Sequence, residues 1–429
     1  MTTAQLLYGR GTRTLELADS SDVTVIQPSA LPPVPDAARE IERALSDPIG
    51  SPPLHTIARG RSDAMLLVCD LTRDVPDDVI VPRLLDELNA AGIPDRRIAL
   101  MVAGGAHRRI TSFEAKQRFG DNVLDRVELL HHDASDRQSH VYVGTTSDGT
   151  PVRIDRRVAE SDLVLATGCI IPHTIAGYGG GRKLIVPGVA SAETIRRNHR
   201  PTNVAHPSVG FCRTHGNVIH EELMEAARMA RLDFIVNVIW SPNGDLVQAV
   251  AGDMEKAWEA GVQVADSMYS VPLDRAFDLL VTSGGGAPAD VNLYQAFRGL
   301  QVGVPAARSG GVIVLVAECT EGVGSAPLYE WLRDADRPED VVARRDRGNF
   351  DIHGEHIACY LCSYVFPRYT VILVSSLPAS QVEEMMMVPA PTVAAAVEQA
   401  VERLGSEVPS ILVNPYGAKA VPRLERMEP

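Results

Sequence analysis

Two α/β domains, each with a parallel or mixed sheet flanked by helices, are the fold this sequence predicts. Three observations lead there. A chain of 429 residues exceeds what one hydrophobic core ordinarily encloses. Short continuous apolar runs alternate with amphipathic ones, which is βαβ grammar. The pattern then restarts after residue 273, where "DLLVTSGGG" resembles the earlier "DLVLATG" in composition and punctuation.

Taken in order, "AMLLVCD" (64–70) reads as a buried strand and "PDDVIVPRLLDELNAAG" (76–92) as a helix, with Pro76 near its start and Gly92 past its end. "RIALMVAGG" (97–105) is the next strand. Thr111 and Glu114 stand at capping-box spacing ahead of a further helix, and "VELLHHD" follows as a strand. "HVYVGTTSDGTPVRID" is a hairpin turning at Asp148-Gly149, and "SDLVLATG" (161–168) is another buried strand. "FIVNVIWSPNGDLVQAVAG" reads as two strands around Asn-Gly, with a helix from about Asp253. "DLLVTSGGG" (278–286), "GGVIVLVAEC" and "YTVILVSS" build the second unit, which ends near 404. The tail "ILVNPYGAKAVP" is strand-like and is expected to return to the first domain. The domains are thus read as 1–273 plus 405–429, and 274–404, with the active site in the cleft between them.

Composition limits the partners. Forty-one basic against fifty-five acidic side chains give a net charge of −14, which repels nucleic acid and anionic lipid. The opening "MTTAQLLYGRGTRTLEL" has no basic segment followed by an apolar one, and no stretch reaches roughly 18 apolar residues, so a cytoplasmic protein is expected. Six scattered cysteines form no disulfide framework, and reduced thiols are expected.

Ligands of open α/β sheets gather beyond the carboxyl ends of the strands. Asp70, Thr72 and Arg73 fall there, as do His107 and Arg108, and so does "IIPHTIAGYGGGRKLIVPG" with His173 and Lys183. A lone loop histidine is usually only solvated, and Asp-x-x-Arg is usually a local ion pair. Three consecutive crossings with a carboxylate, a guanidinium, two imidazoles and an amine are better read as an acid-base toolkit. The glycine run is not a P-loop, because no Ser/Thr follows Lys183 and the sheet-like "LIVPG" is not helical; a dinucleotide fingerprint fits only loosely. Lys183 beside Arg182 should titrate below an isolated lysine, which favours covalent use. "HGEHIACYLC" offers His353, His356, Cys359 and Cys362, but steps of three rotate around a helix, so packed thiols are expected there rather than zinc.

"DLTR", "GGAHR", "IIPHTIAGYGGGRKLIVPG", "RRNHRPTN" and "SGGGAPADVNLYQAFRG" together resemble the signature blocks of the nickel-dependent lactate racemase family, a group of 2-hydroxyacid racemases and epimerases. The resemblance implies a nickel-pincer nucleotide, the pyridinium-3-thioamide-5-thiocarboxylic acid mononucleotide with its nickel, made by separate cofactor-synthesis proteins. It implies Lys183 as the tether, His199 as the nickel ligand, His107 and His173 as the acid-base pair, and Asp70 and Arg73 as the pair orienting the site. Thr72 is assigned to the cofactor, and Ser283, Gly284, Gly285 and Gly286 to its phosphate. Tyr294, Gln295 and Arg298 are assigned to the substrate, with Gln295 on a carboxylate position.

The implied reaction oxidises the substrate to a planar 2-keto acid and returns hydride to its other face, with two imidazoles handling the hydroxyl proton. Lactate racemases proper carry Lys where this chain has Arg298. A guanidinium binds carboxylate with two bonds, so a malate-like or bulkier 2-hydroxyacid is expected. The rival readings are a nicotinamide-dependent 2-hydroxyacid oxidoreductase and a non-catalytic protein that binds nickel or nucleotide.

Overall fold

The computed structural model describes residues 1–18, 22–347, 355–406 and 408–424. They divide into two compact units, one of Ala30–Val209 and Arg213–Met268, the other of Met1–Ser29, Gly210–Cys212 and Tyr269–Pro429.

In the unit beginning at Ala30, six strands lie in the order Leu246–Gly252, Leu232–Trp240, Val164–Ile170, Ala64–Val68, Ile98–Val102, Glu128–His131. Neighbours are parallel, except that Leu246–Gly252 folds back antiparallel on Leu232–Trp240. Ala64–Val68 and Val164–Ile170 are buried along their whole length, which is why they read as unbroken apolar runs rather than as alternation. The chain lays down Ala64–Val68, steps outward to Glu128–His131, then returns to the opposite side with Val164–Ile170. This reversal of strand order is where a ligand crevice opens at the carboxyl ends of a sheet.

The helices follow the expected signals. Asp77–Ala90 buries Ile80, Val81, Leu84, Leu85 and Leu88, an apolar stripe at helical spacing. Each such side chain contributes about 1.5–3 kcal/mol by leaving water. Ser112–Phe119 starts on a complete capping box of Thr111 and Glu114. The hairpin His140–Thr145 with Pro151–Asp155 turns through Gly149 at φ +81°.

The other unit has a wholly parallel sheet, ordered Val388–Pro389, Thr370–Val374, Ala307–Val316, Phe277–Ser283, Ser410–Asn414, Asp22–Val25. Apolar layers cover both faces, one around Phe297 and Leu300, the other around Leu6, Leu15 and Ala396. This corrects the sequence-based boundaries. The tail strand Ser410–Asn414 does not return to the first unit, because it pairs with Phe277–Ser283 on one side and with Asp22–Val25 on the other. Non-local parallel pairing of this kind leaves no signal in either segment alone. The N-terminal residues 1–29 join the same unit.

All six cysteines are buried. Among the described residues no helix is long and apolar enough to cross a membrane, and no cluster of three or more His, Cys, Asp or Glu is disposed to hold a metal ion. His353 of the "HGEHIACYLC" stretch lies outside the described residues, while Cys359 and Cys362 are packed in the core, as expected.

Candidate active site

The loop after Ala64–Val68 carries Asp70, Thr72 and Arg73. Asp70 Oδ1 accepts the Thr72 amide at 3.0 Å and the Thr72 hydroxyl at 2.5 Å, and Oδ2 lies 2.5 Å from His107 Nδ1. Burial opposes ionisation of Asp70, but the hydrogen bonds from His107 and Thr72 outweigh it and hold the carboxyl at about 2. At neutral pH Asp70 is therefore acceptor-only. His107 Nδ1 donates to it, and Nε2 is the nitrogen of this exposed imidazole that Asp70 does not engage.

Arg118, from Ser112–Phe119, fixes the loop from beneath. Its Nη1 donates to the carbonyls of Asp70 and Arg73, each at 3.0 Å, and its Nε donates to Asp77 Oδ2 at 2.8 Å. Asp77, fully buried, also accepts the Thr167 hydroxyl at 2.8 Å, which ties this cluster to the strand Val164–Ile170. Arg73 Nη1 donates to the Thr72 carbonyl at 2.8 Å. Arg108 leaves the expected toolkit, since both its terminal nitrogens bind the capping Glu114, at 2.9 and 2.6 Å.

His173 follows the strand Val164–Ile170 and pairs with Gly177 in a small antiparallel bridge. Its Nδ1 accepts the amides of Ile175 and Ala176, each at 3.3 Å, so the ring proton resides on Nε2. Burial, then the charges of Lys183, Arg73, His199 and Arg182, push its pKa well below the ordinary histidine value. His107 thus uses Nδ1 as a donor to Asp70, whereas His173 uses Nδ1 as an acceptor and carries its proton on Nε2.

The glycine run is dictated by close backbone approach. Gly180 has φ +84°, and a Cβ there would come 2.7 Å from Asn237 Oδ1; at Gly179 one would meet the Cys169 carbonyl at 2.8 Å. Asn237 Oδ1 accepts the Gly181 amide at 3.1 Å, and Trp258 donates to the Gly179 carbonyl at 2.8 Å. The segment also wraps its own arginine. Arg182, wholly buried, donates to His220 Nδ1 at 3.0 Å and to the carbonyls of Ala176, Tyr178, Gly179 and Gly180, and stacks 3.7 Å over Trp258. "LIVPG" forms no strand, contrary to its sheet-like composition. Gly181–Leu184 is a 3-10 turn that leads into further turns.

This packing sets the amine of Lys183. Burial, then the charges of Arg73 and Arg182, lower its pKa to about 7, and among the described residues it has no hydrogen-bond or ion-pair partner. The Gly105 amide donates to the Gly188 carbonyl at 2.9 Å, joining the His107 loop to the end of the Lys183 segment. His199 ends the helix Ala192–Asn198. Burial and the charge of Lys183 hold it at about 3, hence neutral. Its buried Nδ1 makes no hydrogen bond of ordinary geometry, the Ile195 carbonyl only nudging its pKa upward.

The remaining candidates belong to the other unit. A phosphate was expected at Ser283, Gly284, Gly285 and Gly286; there the Ser283 hydroxyl and the amides of Gly284 and Gly285 have partners within the protein. Ser283 Oγ donates to the Leu7 carbonyl at 2.5 Å and accepts the Gly285 amide at 2.8 Å, while the Gly284 amide binds the Val316 carbonyl at 2.8 Å. Gly286 packs on Gly9 and Leu7. The nearby amides of Gly9 and Glu318 donate to the buried side chain of Asp290, at 2.8 and 3.1 Å. Tyr294, Gln295 and Arg298 lie on the helix Leu293–Gly303, capped by Asn292; Tyr294 and Gln295 are half-buried and Arg298 is exposed.

Sequence reasoning missed Arg118, Asn237 and Trp258. For Asn237 a signal existed, a lone amide inside the apolar "FIVNVIW", since a buried polar residue is more informative than an apolar one.

Residues 8–210 match the lactate racemase N-terminal domain, and residues 274–421 match the lactate racemase C-terminal domain. The chain is 31% identical over 427 residues to a lactate racemase of Thermoanaerobacterium thermosaccharolyticum, covering 99% of this chain and 100% of that one. It is 35% identical over 302 residues to a lactate racemase of Lactiplantibacillus plantarum, covering 70% and 71% of the two. The solved structure of the T. thermosaccharolyticum lactate racemase apoprotein is similar with a TM-score of 0.88 at 30% identity, covering 98% of this chain and 100% of that one. A crystal structure from Thermotoga maritima, 18% identical with a TM-score of 0.63 and covering 91% and 99%, shares the fold. Through both its domains and along nearly its whole length, the chain belongs to the lactate racemase family and is an isomerase.

Proposed function

We propose that this chain racemises or epimerises a small 2-hydroxyacid through a 2-keto acid, with His107 and His173 handling the hydroxyl proton on opposite sides of the substrate. One observation carries the reading. Among the described residues the Lys183 amine has no hydrogen-bond or ion-pair partner, and the buried Nδ1 of His199 has no hydrogen-bond partner. An amine whose pKa is lowered to about 7 is available without its proton near neutral pH, which suits covalent attachment, and a neutral imidazole with an unengaged nitrogen suits a borderline-soft divalent metal. These residues therefore fit the nickel-pincer nucleotide, with Lys183 as its tether and His199 as a nickel ligand. When bound, that group supplies the hydride acceptor and donor that no side chain provides.

The chain's own residues do the rest. His107 Nε2 takes the hydroxyl proton of one enantiomer while the ionised Asp70 balances the charge on the ring. His173, holding a proton on Nε2, serves the oxygen on the opposite side. Thr72 fixes Asp70 rather than reaching outward, and Arg73 adds positive charge beside Lys183 and His173. Gln295 and Arg298, one helical turn apart, bind the substrate carboxylate, Tyr294 flanks them, and the fork of Arg298 favours a malate-like or bulkier acid over lactate.

Protein made in cells that also express the cofactor-synthesis proteins tests this. Intact mass should show an adduct that is lost in Lys183→Ala, and a panel of 2-hydroxyacids should be inverted with lactate not the best. An unchanged mass beside full turnover with added NAD overturns the tether, and lactate as the best substrate overturns the specificity.

A further inference from the structure

The block "RRNHRPTN" places Asn198 directly before His199 and Asn203 shortly after it, and neither asparagine has a role in the chemistry above. Both point to one acid. Glu222, on the helix Val218–Met229, is 3% exposed, and all its partners are neutral. Its Oε1 accepts the Thr146 hydroxyl at 2.7 Å, and its Oε2 accepts Asn198 Nδ2 at 2.8 Å and Asn203 Nδ2 at 3.3 Å. Asn203 Nδ2 also donates to the Asn198 carbonyl at 3.2 Å, which closes a knot around the turn that contains His199.

A buried carboxylate without a cation is costly for stability, and an apolar or amide residue would satisfy a core more cheaply. What a carboxylate adds is stronger, more directional acceptance of several donors at once. Here two of the three donors belong to Asn198 and Asn203, which bracket His199. We infer that Glu222 is a positioning residue for His199, setting through Asn198 and Asn203 the backbone turn that presents this imidazole; the inference rests on His199 being the nickel ligand.

The test dialyses loaded Glu222→Gln protein against nickel-free buffer and follows nickel per subunit, with intact mass for the Lys183 adduct and melting of the apoprotein alongside. Nickel should leave at least about tenfold faster than from the parent, the loss typical of a group that orients a metal ligand, while the adduct stays. Thr146→Val removes the Glu222 contact that involves neither asparagine, and should keep parental nickel loss at a comparable change in melting temperature. If Glu222→Gln does not fold, Asn203→Ala should show the same accelerated loss. His199→Ala that holds nickel like the parent overturns the ligand assignment itself. Accelerated loss in His199→Ala, with parental rates in Glu222→Gln and Asn203→Ala, overturns this inference alone.

Discussion

His107 Nδ1 stands 2.5 Å from Asp70 Oδ2, and the other oxygen of the same carboxylate is closed by the amide and hydroxyl of Thr72. An exposed imidazole is thereby given one tautomer and one orientation by a buried acid that stays ionised. Asp70→Asn should remove the charge and invert the hydrogen-bonding need of that position. Turnover should fall about 10²- to 10⁴-fold, with the Lys183 adduct retained in intact mass. Because the folded carboxyl sits at about 2, below its ordinary value, the stability it contributes is complete above about pH 4 and is lost as pH falls through 2. The difference in melting temperature between parent and variant should shrink over that window.

Lys183 gives the opposite linkage. Its folded pKa of about 7 lies below the unfolded lysine value, so the unfolded chain binds more protons between those values and the parent apoprotein gains stability as pH rises through them. Lys183→Met should therefore stabilise the apoprotein most below pH 7, with the advantage declining toward about pH 10. Melting temperatures across that range check this, and a pH-independent difference would contradict it.

Arg118→Met should leave Asp77 buried without its cation and release the carbonyls of Asp70 and Arg73. Breaking a buried pair from one side costs about 3–5 kcal/mol, readable as a lower denaturant midpoint. Activity should fall beyond the loss of folded protein, since the loop that aims His107 loses its anchor.

Gly180→Ala should be severe, about 2 kcal/mol or more, because it combines φ +84° with a Cβ pressed against Asn237 Oδ1. Gly149→Ala, at φ +81° with nothing within 4 Å, isolates the backbone term and should cost about 1 kcal/mol. Equal effects in chemical denaturation would contradict the close-approach account of the glycine run.

The strands Ala64–Val68, Ile98–Val102 and Val164–Ile170 were legible because parallel strands buried on both faces are continuous apolar runs, and the loop ends that carry Asp70, His107 and His173 followed from them. The capping box at Thr111 and the turn at Gly149 were legible because their chemistry is local. Arg118 under Asp70, Asn237 under Gly180 and Glu222 behind His199 were not. Each is a buried polar group whose partner is 24 or more residues away in the chain, and the sequence does not record which donors a fold brings to which acceptors. The same reason hid the pairing of Ser410–Asn414 with Asp22–Val25 and the internal partners of the Gly284 and Gly285 amides.

The central claim is that hydrogen leaves and returns to carbon 2 as hydride, shielded from water, while the imidazoles move only the hydroxyl proton. The measurement is inversion of a single enantiomer of the best panel substrate by loaded enzyme in D₂O, with the product enantiomer examined for deuterium at carbon 2. Product that retains its original carbon-bound hydrogen is the expected result. Deuterium at carbon 2 in step with each inversion would contradict it.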